Sequence, residues 1–186
     1  MKHKPAHYKS IMAGAALLTA LGLWQLGGGL LIAAKAALAP ILVESAWEES
    51  LRTGKPMKPW SWADTHPVAE LSLPAKDITH YVLAGDNMRA LAFGPVMAEV
   101  NGTPVLFGHR DTHFAFLENL ESGDILTFKT MDGTKARYSL ARAWTAHKDA
   151  LTIPQTDGDQ ILLISCYPFR SVTETDRRII MQAIKI

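Results

Sequence analysis

From Val68 to the C-terminus the chain is a succession of short β-prone runs separated by Pro, Gly, Asp or Asn, and no other feature limits the fold as much. Residues 69–74 (AELSLP), 77–83 (DITHYVL), 104–109 (PVLFGH), 124–130 (DILTFKT), 135–144 (KARYSLARAW), 159–166 (DQILLISC) and 177–186 (RRIIMQAIKI) read as strands. Asn101-Gly102, Ser122-Gly123, Asp132-Gly133 and Asp157-Gly158 are turn signals, the first and third suited to tight hairpins. Residues 88–93 and 114–120 read as short helical turns. Without βαβ spacing, about seven or eight strands point to a single antiparallel or mixed barrel or sandwich.

The N-terminal part has a different texture. Residues 1–10 are polar and basic, carrying Lys2, Lys4 and Lys9 and no acid, and read as a cytoplasmic tail. No charge follows until Lys35, so residues 11–34 are long enough to cross a bilayer as a helix. The cationic flank predicts a single-pass span with its N-terminus in the cytoplasm and its body exported. Ala37-Leu38-Ala39 resembles a signal-peptidase site, but the long apolar run and Pro40 just beyond it favour an uncleaved anchor. Residues 36–53 have helical spacing up to Gly54 and read as a juxtamembrane spacer. The Pro- and Trp-rich stretch 54–67 reads as a linker, with residues 35–66 together joining the anchor to a domain at 67–186. Trp60 and Trp62 suit either a membrane interface or a core edge.

Composition narrows the function classes. Hydrophobic residues make up 48% and charged residues 20%, as in a globular protein with an ordinary core. A net charge of +1 without a basic stripe excludes nucleic acid as an obvious partner. Cys166 is the only cysteine, so no internal disulfide staples the fold.

Cys166 also stands in a telling place. Five residues, Ile161 to Ser165, run straight into it, and Pro168 cannot donate to a sheet ladder, so the strand should stop there with Cys166 at its last rung. A buried cysteine acting as a small hydrophobe is the bland reading of this stretch alone. However, VLFGH repeats the architecture, an apolar strand ending in His109. Two strands of one sheet ending in His and Cys bring imidazole and thiol to one rim, as nucleophilic cysteine chemistry requires. Acyl transfer also needs a group to hold charge on the carbonyl oxygen. Arg177 and Arg178 open the last strand, and alternation lets only one of them reach the site. His3, His7, His66 and His147 lie in polar surroundings and read as solvent-facing.

His, Cys and Arg at three strand edges behind an N-terminal anchor resemble the sortases, cysteine transpeptidases of the bacterial envelope. The family's Leu-x-Thr-Cys pattern is matched by Leu163-Ile164-Ser165-Cys166, with Ser in place of Thr, a change that keeps the hydroxyl and loses a methyl. Cys-Tyr-Pro-Phe at 166–169 and Gly-His-Arg-Asp-Thr at 108–112, followed by Phe114 and Leu117, are similar to several sortase subclasses. The resemblance runs from about Val68 to the C-terminus and implies a closed β-barrel of about eight strands with short helices, Cys166 as nucleophile and His109 as general acid/base. It implies Arg178 as the clamp on substrate and oxyanion, because the family's arginine is often followed by an apolar run such as Ile179-Ile180-Met181, with Arg177 as runner-up. The implied reaction cleaves an LPxTG-like C-terminal sorting signal of an exported protein and passes the acyl group to an amine or water, with no cofactor. Residues 23–51 and 59–71 look like the leader and linker of sortases from Gram-negative bacteria, which typically serve one dedicated substrate. That subclass implies the inner membrane, with the catalytic domain on the periplasmic side.

Two non-catalytic readings compete. His109 and His113, with Asp111 between them and Cys166 as a soft ligand, are zinc-compatible types in a membrane-tethered module. The four-residue spacing aligns the two imidazoles only in a helix, whereas Gly108-His109 ends a strand-like run. A tethered β domain that only binds a partner would leave Cys166 dispensable.

Overall fold

The computed structural model describes residues 6–85, 88–153 and 159–186, and the side chains within them except those of 6–10 and 28–36. A helix, α1 (Ala6–Thr53), is followed by eight strands: β1 (Pro67–Leu73), β2 (Ile78–Ala84), β3 (Val96–Val100), β4 (Thr103–Phe107), β5 (Ile125–Thr130), β6 (Lys135–His147), β7 (Gln160–Tyr167) and β8 (Arg177–Lys185). They close a barrel in the order β1-β2-β3-β4-β7-β8-β6-β5, with β5 returning to β1. Closure leaves no exposed sheet edge. The chain forms two units, Met1–Ala39 and Pro40–Ile186.

The expected turns account for the hairpins within reach. Asn101 (φ 52°) and Gly102 (φ 76°) both occupy the left-handed region, the requirement of the two-residue turn that joins β3 to β4. Gly133 (φ 84°) does the same between β5 and β6. The Asp157-Gly158 turn lies outside the described residues. Short 3₁₀ turns form at Met88–Ala92 and Ala115–Asn119, as expected, and also at Pro74–Lys76 and Lys148–Ala150.

Three differences from the sequence reading have physical causes. β3 was not among the expected strands, because it is only five residues long and sets Ala98 and Glu99, weak strand formers, among Val96, Met97 and Val100. Strand β6 runs on to His147, held by β8 along its length. Pairing in β7 continues one residue past Cys166, to Tyr167, before Pro168 ends it.

Strand β7 is buried from Gln160 to Ser165, which explains its unbroken apolar character. One face, Ile161 and Leu163, joins the barrel interior with Leu71, Leu106, Phe114, Leu126 and Met181. The other, Leu162 and Ile164, packs on Val105, Phe107, Ile180 and Trp144 beneath Leu151 and Ile153, outside the barrel. That outer cluster carries the site.

Residues 40–53, most of the segment expected as a spacer, pack on the barrel. Val43 clusters with Leu83, Ala90 and Val96, and Trp47 lies 6.4 Å from the ring of Tyr81, with Lys129 Nζ 5.8 Å from its own ring centre. Tyr81 also donates a 2.9 Å hydrogen bond to Glu44. Within the linker, Trp60 covers a core edge, edge-on to Phe93 at 5.0 Å, while Trp62 stays exposed. Among the described residues no helix is long and apolar enough to cross a membrane; the expected span at 11–34 continues into residues 28–34, whose side chains lie outside those described.

Candidate active site

Strands β4 and β7 run parallel, with Val105 opposite Leu162, Leu106 opposite Leu163 and Phe107 opposite Ile164. His109 and Cys166 each lie two residues beyond that last pair. Parity therefore sends both to the outer face, His109 prolonging Val105 and Phe107 and Cys166 prolonging Leu162 and Ile164. Two further bonds extend the alignment past the last pair. Gly108 N–H donates to the Ile164 carbonyl at 3.2 Å, and the buried Ser165 hydroxyl donates to the Gly108 carbonyl at 2.8 Å. The Ser165 hydroxyl thus ties the cysteine strand to the histidine turn.

The glycine before His109 is a packing requirement. A Cβ on Gly108 would stand 2.4 Å from the ring of Phe114, a fully buried side chain. The turn after it is pinned by the Phe114 N–H, which donates to the His109 carbonyl at 2.9 Å.

Antiparallel pairing of β7 with β8 sets Cys166 directly opposite Arg178 and Tyr167 opposite Arg177. Directly paired residues present their side chains on the same face, so Arg178 shares the face of Cys166 and Ile180. Arg178 is half-buried and donates to the carbonyls of Thr175 and Arg177 at 2.8 and 2.9 Å. Arg177 has the opposite parity, is exposed, and donates to Thr145 Oγ1 at 2.6 Å.

Over these residues lies an open cavity of about 830 Å³ lined by His109, Arg110, Lys148, Cys166, Arg178 and the loop 170–176 between β7 and β8. An apolar cleft of about 200 Å³ adjoins it, formed by Met88, Leu91, Phe107, Leu151 and Ile164, and shares His109, Cys166 and Arg178 with it. Cys166 is half-buried, so its thiol is reachable. The cavity thus joins a polar wall to an apolar cleft around a reachable thiol.

A sortase domain matches residues 71–186, well over half of the chain. The chain belongs to the sortase family. Sortase D of Bacillus subtilis (strain 168) is 33% identical over 88 residues, covering 46% of this chain; the match spans 44% of that relative, less than half its length. Among solved structures, Sortase A from Corynebacterium diphtheriae aligns with a TM-score of 0.58 at 19% identity, covering 81% of this chain and 85% of that one. Streptococcus agalactiae Sortase C1 aligns at 0.55 and 20% identity, covering 64% and 67%. Listeria monocytogenes sortase A aligns at 0.54 and 23% identity, covering 64% and 87%. These likenesses carry the mainly β closed barrel of a sortase fold.

Two features of this sortase's site escaped the sequence reading. Arg110, whose side chain is only 10% exposed, donates to the carbonyls of Pro168 and Thr173 at 3.0 Å each and also to that of Ser171. A conspicuous Gly-His-Arg-Asp-Thr run was the only signal for it. His113 faces His80 edge-on at 5.9 Å, and His80 stacks on Phe116 at 5.5 Å. Burial, reinforced by the neighbouring His113, pushes His80 down to about 4. Burial, then His109, pushes His113 down, while a hydrogen bond with the Ala92 backbone opposes the shift.

The zinc alternative finds no support in this arrangement. His109 is exposed whereas His113 is half-buried against His80, because the chain between them turns instead of forming an α-helix. Among the described residues no three His, Cys, Asp or Glu side chains converge as a metal site. His147 is exposed and its Nδ1 lies 3.4 Å from Asp149, while His66 is half-buried. His3 and the side chain of His7 lie outside the described residues.

Proposed function

We propose that this sortase is a cysteine transpeptidase, with Cys166 as nucleophile, His109 as general acid/base and Arg178 as clamp. The observation that carries the reading is the shared register: three strands deliver His109, Cys166 and Arg178 to one face beside one cavity. The Cys166 thiolate attacks a backbone carbonyl of the substrate, the C–N bond breaks, and His109 gives its proton to the leaving amine. A thioester on Cys166 remains. A second amine, or water, loses a proton to His109 as it attacks the thioester, and the C–S bond breaks to release the Cys166 thiolate. The Arg178 guanidinium has five N–H donors and spends two on carbonyls in the resting chain, which leaves donors for a substrate carbonyl or an oxyanion.

The substrate in this reading is an exported protein with an LPxTG-like C-terminal signal, one dedicated partner as in the Gram-negative subclass. The chain is held in the inner membrane by residues 11–34, with the barrel outside the cytoplasm. Supporting the anchor, Leu17, Leu18, Leu21, Leu23, Trp24 and Leu26 are all exposed on α1, as large apolar side chains of a membrane-embedded helix would be.

The test incubates the full-length chain with a quenched LPxTG-type peptide and a free amine. A mass shift on Cys166 equal to the acyl fragment, absent in Cys166→Ala and His109→Ala, is expected; turnover surviving Cys166→Ala would overturn the reading. Alkaline extraction of cell membranes tests the anchor: the chain stays in the pellet if residues 11–34 span the bilayer and is released if they do not.

A further inference from the structure

We infer that Arg110 is a positioning residue: its guanidinium holds the loop between β7 and β8 in place as the wall of the cavity over Cys166. The loop, residues 168–176, leaves the ladder at Tyr167 and rejoins it at Arg177, so its backbone groups have no sheet partner. Carbonyls in that position need donors from elsewhere. Arg110 supplies three of them, to Pro168, Ser171 and Thr173, across a sequence separation of about sixty residues. The contact geometry suits a planar fork with fixed donors, whereas a lysine ammonium is a point charge on a flexible stem.

Other ties share the loop unevenly. Its C-terminal end is held by Thr175, which donates to the Tyr167 carbonyl at 2.6 Å, by Arg178 on Thr175, and by Lys148 paired with Asp176 at 2.5 Å. Phe169 packs against the barrel core and lies 6.1 Å from the ring of Tyr167, so the stretch that hangs on Arg110 is Arg170–Thr173. Its other described side-chain tie from outside the loop is Arg170 to Glu118 at 2.9 Å, a surface pair with the arginine 80% exposed. Such a pair contributes little in water. The carboxylate nearest Arg110 is Asp111 at 3.3 Å, itself 61% exposed, so the buried cation is met mainly by loop carbonyls.

The placement links loop to catalysis. Arg110 follows His109 in the chain, and the loop it anchors lines the cavity shared with Cys166 and Arg178. Cys166 lies within β7, and His109 follows β4 in a turn pinned by the Gly108–Ile164 and Phe114–His109 backbone bonds, so neither needs the loop for its register. Losing Arg110 therefore loosens the wall that receives substrate and leaves the thiol and imidazole where they are. The kinetic part of this inference rests on the transpeptidase reading; the structural part does not.

The test compares Arg110→Lys and Arg110→Gln with the wild-type full-length chain, after far-ultraviolet circular dichroism has shown both to be folded. Hydrogen exchange at the amides of residues 170–173 is expected to quicken at least about tenfold in both variants, with β7 and β8 unchanged. Glu118→Gln, which breaks only the surface pair, is expected to leave exchange near wild type. For peptide cleavage, KM rises about tenfold while kcat changes by less than about threefold. Alkylation of Cys166 by iodoacetamide keeps its wild-type pH profile. Unchanged exchange in both arginine variants, or loosening by Glu118→Gln as large as by Arg110→Lys, overturns the inference. Wild type that cleaves no peptide while the variants still loosen the loop would overturn the enzyme reading and leave Arg110 as the loop's anchor.

Discussion

The Ser165 hydroxyl donates a 2.8 Å hydrogen bond to the carbonyl of Gly108, and both groups are buried. Each residue immediately precedes a member of the proposed catalytic pair. Ser165→Ala removes the donor and leaves the carbonyl short of a partner, a loss of about 1–3 kcal/mol. Ser165→Thr keeps the hydroxyl and should stay within about 1 kcal/mol of wild type. Equilibrium unfolding in urea measures both; equal stability of the alanine and wild-type proteins would show that the bond contributes nothing.

Gly108 is the tightest point of the same junction. With Phe114 fully buried and 2.4 Å from the place of a new Cβ, the ring must move if alanine replaces glycine. Gly108→Ala is expected to destabilise the barrel by about 1–3 kcal/mol through overpacking and to slow acylation of Cys166 by displacing His109. The same unfolding series, together with thioester formation followed by mass spectrometry, reads out both effects.

The two arginines that open β8 give opposite predictions. Arg178 pairs with Cys166 and lines the cavity, so Arg178→Ala should lower kcat/KM by about 100-fold or more, as loss of an oxyanion donor does. Arg177 faces the other way onto Thr145, and Arg177→Ala should remain within about threefold. A reversal of these two results in the peptide assay would assign the clamp to Arg177.

The legible parts of this molecule were those with local signals. Short β-prone runs set off by turn residues disclosed seven of the eight strands, while the five residues of β3 were too few and too mixed to stand out. The juxtaposition of His109 and Cys166 was readable because both end apolar runs, although only the parallel β4–β7 register explains why they share a face. Arg110 was not readable. Its partners are backbone carbonyls of a loop some sixty residues away, and carbonyls carry no side-chain identity for a sequence pattern to expose. Nor was the docking of residues 40–53 on the barrel: Val43 and Trp47 are buried there while Ile41 and Leu42 are exposed, so apolar character does not mark the covered face.

Acid should weaken the fold through His80 and His113. His80, held down to about 4 by burial, has an ordinary value near 6.5 in the unfolded chain. Below 6.5 the unfolded chain takes up a proton that the native state refuses, so stability is full above that pH and falls as pH drops toward 4. His113, also pushed down, acts in the same direction. Because the His80 imidazole retains some exposure, its share of the loss is on the order of 1–3 kcal/mol. Unfolding free energies at pH 7 and pH 4.5 should differ by less in His80→Gln than in wild type; an undiminished difference would exclude His80 as a contributor.

The last turns of α1 belong energetically to the barrel. Trp47 is 1% exposed and Val43 2% exposed, the first against Tyr81 and the second in a cluster with Leu83, Ala90 and Val96. Truncating such a tryptophan to alanine typically costs about 3–5 kcal/mol. A chain cut to begin near residue 60 uncovers the Tyr81 and Leu83 region and should unfold at a markedly lower urea midpoint than one beginning at Pro40. Trp47→Ala in the longer chain should reproduce most of that loss. Matching midpoints for the two truncated chains would mean that the helix end contributes no stability to the barrel, and would return residues 40–53 to the role of a spacer.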